Sequence, residues 1–466
     1  MNDQCSHMNH VRLPSRPSTA LRLATILVAA WPLAAVADVV QISSLKELAD
    51  YAGRSGNVVV MKPGVYRLTD VVSIAEARRR HDRNEFQLLT FSGDRNEFRL
   101  DGVVIEEDTV IRKALAPPIH TNEFVISGSH NTLSGLTIVD LGDGISNGGA
   151  AVSVDGADNT LRSWTITVRG SFPYGYGDLF GKGGPNIINP LKKSGVHVVG
   201  DRTRLIDCKV FMRSFGHGIY VQGGSDHQFE GCYVEGVMRP TAEMLAETSG
   251  PAFKAEFRTL AKNRRGEARV TPGYIKSLSE DGFRMYEQAA GEITIRNCTA
   301  RNMRHGFELR PERGVRVENC TAVGCEVAFW VGGRTVVKGC RGDAQYGPLL
   351  LIEGDDAKVD LELSAVESDM NVHALAAIQG ARHEVTIRPA SGPPRKRPVP
   401  ILLGFGTPMM GEGMAPIPPR PARDVLLRNE TTMPVVVGLD ARDCRISSKG
   451  PVEHEAKGVA PADRAR

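Results

Sequence analysis

Five cysteines stand at one place in five copies of a short pattern, and a repeat of this kind limits the chain to a solenoid. They are Cys208, Cys232, Cys298, Cys320 and Cys340. The clearest copies read Ile295-Arg-Asn-Cys-Thr-Ala300, Val317-Glu-Asn-Cys-Thr-Ala322 and Phe229-Glu-Gly-Cys-Tyr-Val234. Leu205-Ile-Asp-Cys-Lys-Val210 is a fourth, and Val337-Lys-Gly-Cys-Arg-Gly342 a fifth. Leu133-Ser-Gly-Leu-Thr-Ile138 and Leu161-Arg-Ser-Trp-Thr-Ile166 fit the same frame, with Leu136 and Trp164 in the cysteine column.

Cysteines that follow one another without a long insertion are separated by 24, 22 and 20 residues. Inside each period apolar and polar residues alternate, which is the strand signature. Gly and Asn mark the strand ends, where turns need positive φ. Leucine-rich repeats have a similar period but require a leucine and asparagine frame that is missing. The expected fold is all-β: a single parallel β-helix whose coils stack about 4.8 Å apart, so that like residues form ladders. The cysteine column then reads as inward scaffold, because buried thiols behave as small hydrophobes. A zinc site needs ligands paired closely in sequence, and only Cys320 and Cys325 are close.

Residues 1–37 read as a secretory signal: Arg12, Arg16 and Arg22 precede an apolar run, and Ala35-Val-Ala37 offers a cleavage site. A periplasmic or secreted location is expected, without membrane attachment after cleavage. Lys and Arg number 57 against 54 Asp and Glu, a near balance that gives no case for nucleic acid. Ser44-Leu-Lys-Glu47 is a capping box that opens a helix over the N-terminal end of the solenoid. The β-helix is expected over residues 38–390, with insertions at 170–193 and 239–280. The second is expected to be helical from Pro240 to about Asn263. A proline-rich segment with terminal strands is expected over 391–450, and a disordered tail over 451–466.

A second frame recurs once per coil: His217-Gly-Ile-Tyr-Val-Gln222, Asp281-Gly-Phe-Arg-Met-Tyr286, His305-Gly-Phe-Glu-Leu-Arg310 and Val327-Ala-Phe-Trp-Val-Gly332. Ser194-Gly-Val-His-Val-Val199 joins them. Alternation turns Ile219, Phe283, Phe307 and Phe329 inward and the residues between them outward. One outward ladder is then His197, Tyr220, Arg284, Glu308 and Trp330, and a second holds Gln222, Tyr286 and Arg310. Ser194, His217, Asp281 and His305 stand at the strand starts. Solvent-facing rungs need only be polar, so this density of ionisable and aromatic groups marks a candidate functional face, walled by the two insertions.

The cap helix, the Pro63-Gly64-Val65-Tyr66 turn and the Asn-Cys-Thr coils resemble the right-handed parallel β-helix superfamily of carbohydrate-active enzymes. Polysaccharide lyases of the alginate and chondroitin type and mannuronan epimerases look most similar, over about residues 38–390. The Asp-Pro-His-Asp motif of the epimerases and the aspartate cluster of calcium pectate lyases are not found. The resemblance implies an exported polysaccharide lyase acting on a uronic-acid glycan by β-elimination. Such an enzyme must neutralise a carboxylate, remove the neighbouring proton and protonate the leaving oxygen. Arg284 and Arg310 suit the first task. His217 or His305 suits the second, and Tyr220 or Tyr286 the third. Lys193, His197, Gln222, Tyr286, Glu308 and Trp330 are the expected substrate contacts. Lys192, Lys254, Arg264 and Arg265 add positive charge. Two alternatives stay open: a glycoside hydrolase with Asp281 and Glu308 as its carboxylate pair, and a non-catalytic glycan-binding or accessory β-helix protein. No cofactor is expected. Asp140, Asp143 and Asp155 fit turns as well as a calcium ion. The expected partner is an anionic polysaccharide or oligosaccharide, bound by a monomer.

Overall fold

The computed structural model describes residues 39–80, 85–107, 109–142, 144–182, 186–260, 262–263, 266–344, 347–365, 374–391, 398–405 and 420–455. The secretory segment, Asp143, Arg264, Arg265 and most of the proline-rich stretch lie outside them. Two large sheets run along the chain, of 22 and 13 strands among the described residues. Neighbouring coils pair in parallel within both. One coil contributes Ala150–Val154 to the smaller sheet, then Thr160–Arg162 and Thr165–Val168 to the larger. Ser194–Val198 then starts the next coil in the smaller sheet. The fold is the expected parallel β-helix.

The bend between the two strands of the larger sheet explains the cysteine motif. The residue before each column member has positive φ: Gly135, Ser163, Asp207, Gly231, Asn297, Asn319 and Gly339. Asn, Asp and Gly tolerate this left-handed backbone at least cost. The next residue is turned inward, so Leu136, Trp164, Cys208, Cys232, Cys298, Cys320 and Cys340 are all buried. The cysteines are free thiols, as the scaffold reading requires. Phe283, Phe307 and Phe329 form another inward ladder, their rings stacked at 4.9 and 5.0 Å.

At the N-terminal end, Ser44 caps the helix Leu45–Ala52, accepting from the Glu47 amide at 3.2 Å. Leu45, Leu48 and Ala52 enter the main core. The C-terminal boundary differs from expectation. Coils continue past residue 390 through Ile401–Leu403, Val435–Val437 and Val452–His454, each paired in parallel with the one before. Val452–His454 is thus a strand, although the tail was expected to be disordered from 451. Strands of three residues beside prolines leave too little alternation to be seen in sequence.

The two insertions leave from the same corner. They follow Thr165–Val168 and Tyr233–Glu235 of the larger sheet and end at Ser194–Val198 and Asp281–Met285 of the smaller. Together they build one satellite core. Tyr176, Leu179 and Phe180 of the first pack with Met244, Ala252, Phe257, Val270 and Leu278 of the second. The Tyr176 hydroxyl donates to Glu247 at 2.5 Å, and Arg239 donates to the Gly175 carbonyl at 3.1 Å. The expected helix from Pro240 to Asn263 is instead two short helices, Thr241–Leu245 and Gly250–Lys254. Gly250, at a φ of 90°, and Pro251 open the second helix and keep the first from running on into it.

The bend makes a specific demand on Asn297, whose φ is 53°. Asn297→Val is expected to cost about 1–2 kcal/mol in a denaturant titration, while Asn297→Gly leaves stability unchanged or improved. Equal losses in both variants would place the constraint in the Asn side chain rather than the backbone.

Candidate active site

The outward ladder has the expected register. His197 pairs with Tyr220, Tyr220 with Arg284, Arg284 with Glu308 and Glu308 with Trp330. A glycine column sets the geometry at the strand starts. A Cβ at Gly218 would come within 2.2 Å of Val234 Cγ1, and one at Gly306 within 2.6 Å of Ala322 Cβ. Only glycine lets the corner close this tightly. The residue before the glycine and the one three later then share a face. His217 and Tyr220 rings lie 5.4 Å apart, and His305 Nδ1 lies 3.1 Å from Glu308.

This face points away from the coil but much of it is shielded from solvent. Asp281, His305 and Glu308 are 0–1 % exposed, and His217, Tyr220 and Arg284 only 8–9 %. Outward alternation implied solvent contact. The insertions cover the strand starts instead.

Asp281 is the hub. Its Oδ1 accepts from Arg304 at 3.0 Å and lies 2.7 Å from His305 Nδ1, and its Oδ2 lies 3.0 Å from His217 Nδ1. Burial works against its charge, but Arg304 and His305 hold the carboxyl well below the usual range. Glu280, beside it, is also held low against burial by His217, Lys192 and Arg304. His217 Nε2 faces the Tyr286 hydroxyl at 2.9 Å, with Glu280 Oε2 at 3.5 Å. A carboxylate at Nδ1 fixes the proton there and leaves Nε2 to accept from Tyr286. The Arg284 guanidinium sits 4.3 Å from the Tyr286 ring centre and pairs with Glu308. Burial raises the Tyr286 pKa and Arg284 opposes it.

The other candidates separate into three groups. Around the rim, Gln222 is exposed, and Tyr286, Arg310, Trp330 and His197 are half-buried. Arg310 pairs with exposed Glu287 at 2.5 Å and lies 5.2 Å over Trp330, whose indole donates to Glu353 at 3.0 Å. His197 stacks on Tyr220 at 4.5 Å. Beneath them, His305 and Glu308 are buried supports. Burial lowers His305 to about 4, so it is a neutral brace for Asp281 and not an exposed base.

Lys193 is a correction. It is 1 % exposed, pairs with Glu123 and donates to the Thr121 carbonyl at 2.5 Å and the Ala150 carbonyl at 3.2 Å. It ties coils together and has no surface to offer a glycan. Lys192 is engaged by Glu280 at 2.8 Å.

Sequence reasoning missed Asp178, Lys276 and Glu326, and offered Arg304 only as a salt-bridge partner of His305 or Glu308. Arg304 also reaches Asp178 at 3.2 Å and Glu280 at 3.4 Å. Lys276 bridges Asp178 at 2.5 Å and Glu326 at 3.0 Å. These pairs fasten both insertions to the coils beneath the site. Arg304 directly precedes His305, and that adjacency was the available signal.

The hydrolase pair and a metal site both fail on this geometry. Asp281 and Glu308 are buried and ion-paired, so neither can flank a glycosidic bond. Asp281, His305 and Glu308 do bring ligand atoms within 4.8 Å of one another. Arg304 and Arg284 already supply the positive charge on the two carboxylates, so a divalent ion would meet two fixed cations. Asp140 is likewise engaged by Arg112 and by the Arg169 amide at 2.9 Å. Asp155 accepts from Ser153 at 2.6 Å.

Two outcomes are expected. Arg284→Ala leaves the buried Glu308 short of its cation and costs about 3 kcal/mol of stability. The double variant Arg284→Ala/Glu308→Ala recovers most of that loss, and additive losses in denaturant titrations would refute the pairing. The second concerns acid. His305 binds a proton near pH 6.5 when unfolded and near 4 when folded. Between those values the unfolded chain holds the extra proton, so stability falls as pH falls through that window. Half-buried His197 and buried His227 and His383 shift in the same direction, each lowered by burial. A melting temperature that stays flat across it would contradict the buried neutral state.

Residues 185–341 match the family model for a right-handed β-helix region. No curated protein matches the chain. Among solved structures, the chain is similar to a complex of the alginate lyase AlyF-OU02, at 12 % identity and a TM-score of 0.47. A PL6 alginate lyase bound to a trisaccharide is similar at 12 % identity and a TM-score of 0.43. Both alignments cover 90 % of this chain and 88 % of the other. The strand pairing and the family match over residues 185–341 agree on the fold, a parallel β-helix.

Proposed function

We propose that this chain is a polysaccharide lyase that cleaves a uronic-acid-containing glycan by β-elimination on the face of the smaller sheet. One observation carries the reading: His217 has the Asp281 carboxylate 3.0 Å from its Nδ1 and the Tyr286 hydroxyl 2.9 Å from its Nε2, with the Arg284 guanidinium beside the tyrosine ring. A carboxylate behind an imidazole behind a hydroxyl is an arrangement for moving a proton at that hydroxyl. His217 Nε2 takes the Tyr286 proton as the phenolic oxygen takes the proton beside the uronate carboxylate. Glu280, 3.5 Å from Nε2, stabilises the imidazolium that results. Arg284 favours negative charge on Tyr286.

Arg310 suits the substrate carboxylate. Its partner Glu287 is exposed, and an exposed pair is weakly held, so an incoming carboxylate can replace it in a bidentate contact. Trp330 and Gln222 lie at the same rim and offer a ring face and an amide to a sugar. The basic and apolar N-terminal pattern supports a periplasmic or secreted setting, where such polymers are met.

The test is release of unsaturated uronate, read by ultraviolet absorbance, from alginate, pectate, glucuronan and glycosaminoglycans. At least one polymer is expected to give product. Tyr286→Phe and His217→Ala are each expected to lower that rate by about 10²–10⁴-fold with circular dichroism unchanged. No product from any polymer, or full activity in Tyr286→Phe, overturns the reading.

A further inference from the structure

The proton-transfer groups of the face are gathered at one point. His217 Nε2 and the Tyr286 hydroxyl are 2.9 Å apart, and the Tyr220 ring lies 5.4 Å from His217 and 6.4 Å from Tyr286. All three project from neighbouring strands of one sheet, so they meet a bound sugar from the same side. Tyr220 is buried against His197, and burial raises its pKa. His305 is sealed beneath, and Lys192 is held by Glu280. Base and acid are therefore adjacent atoms or one and the same atom.

Resting on the lyase reading above, we propose that the elimination is syn. The substrate then carries its C5 hydrogen and its C4–oxygen bond on the same side of the ring. D-mannuronate and D-glucuronate have that configuration. L-guluronate, L-iduronate and D-galacturonate carry the two on opposite sides and would need a base and an acid on opposite sides of the ring.

The step balances at this one locus. Tyr286 passes its proton to His217 and takes the C5 proton. The C5–H electron pair becomes the C4=C5 double bond. The C4–oxygen bond breaks with its pair on the glycosidic oxygen, which takes the proton from Tyr286. His217 then returns its proton to Tyr286, and both residues end as they began. The products are an unsaturated uronate end and a new hydroxyl end, with no co-reactant.

Lys182 is the rival second locus. It stands on the first insertion, and its charge is felt by Asp178, Asp281 and Glu280. A syn reaction does not need it.

The experiment incubates the purified full-length protein with mannuronan, glucuronan, guluronan and galacturonan separately. Lys182→Met is assayed alongside on whichever polymer reacts. Unsaturated product from mannuronan, glucuronan or both, none from the other two, and undiminished activity in Lys182→Met are the expected results. Product from guluronan or galacturonan overturns the single locus and leaves the lyase reading standing. So does loss of activity in Lys182→Met with the fold intact by circular dichroism. Silence on all four polymers overturns the syn assignment. Product from another uronate polymer in the wider panel would then still preserve the lyase reading.

Discussion

Everything in this molecule follows from in-register stacking of coil on coil. Each backbone group of one strand bonds to the coil above or below, and the spacing between coils fixes which side chains can meet. Like positions stack, so a column of cysteines and one of phenylalanines line the core. The same register applied outward puts His197, Tyr220, Arg284, Glu308 and Trp330 in consecutive rungs. A site assembled from residues far apart in sequence thus takes its register from the coils. It needs one unusual residue per period.

Stacking also creates a problem that the insertions solve. Ionisable groups a few ångströms apart on adjacent rungs repel unless their signs alternate and their remaining bonds are satisfied. Asp281 meets Arg304 and His305, Glu308 meets Arg284, and Glu280 meets Lys192. The satellite core of the two insertions then covers these pairs and brings Asp178 and Lys276 into the same network. Covering raises the strength of each pair and fixes the direction of His217.

The fold was legible because its signals are periodic. Asn297 and Asn319 announce a left-handed bend, and the cysteines behind them give the register by counting. Counting also named the correct outward rungs. It could not tell outward from exposed, because the cover comes from insertions that follow no period. Lys193 shows the limit: beside a glycine-rich loop it reads as a solvated cation, yet Glu123, 70 residues earlier in sequence, holds it inside. The partners of Arg304 were hidden for the same reason, since Asp178 belongs to the first insertion and Glu280 to the second. The terminal coils were missed because strands as short as Ile401–Leu403 carry too few residues to show alternation.

In the proposed reaction the choice of base turns on burial, and burial follows from position on the strand. His305 and His217 occupy the same position in the frames on either side of the Asp281 frame and would pass for equivalents. His305 lies one coil further on, under Trp330, whose ring stands edge-on at 5.3 Å, with Asp281 and Glu308 on its Nδ1. Its other nitrogen is enclosed, so a proton placed there would be a buried charge without a partner, and the ring stays neutral. His217 lies one coil earlier, where the cover ends and Tyr286 reaches over it with its hydroxyl at the rim. The same carboxylate, Asp281, touches both histidines. On one side it steadies a brace, and on the other it stands behind the proposed proton carrier. The edge of the satellite core separates the two positions, so under the proposed reading the insertions decide which histidine can meet a substrate.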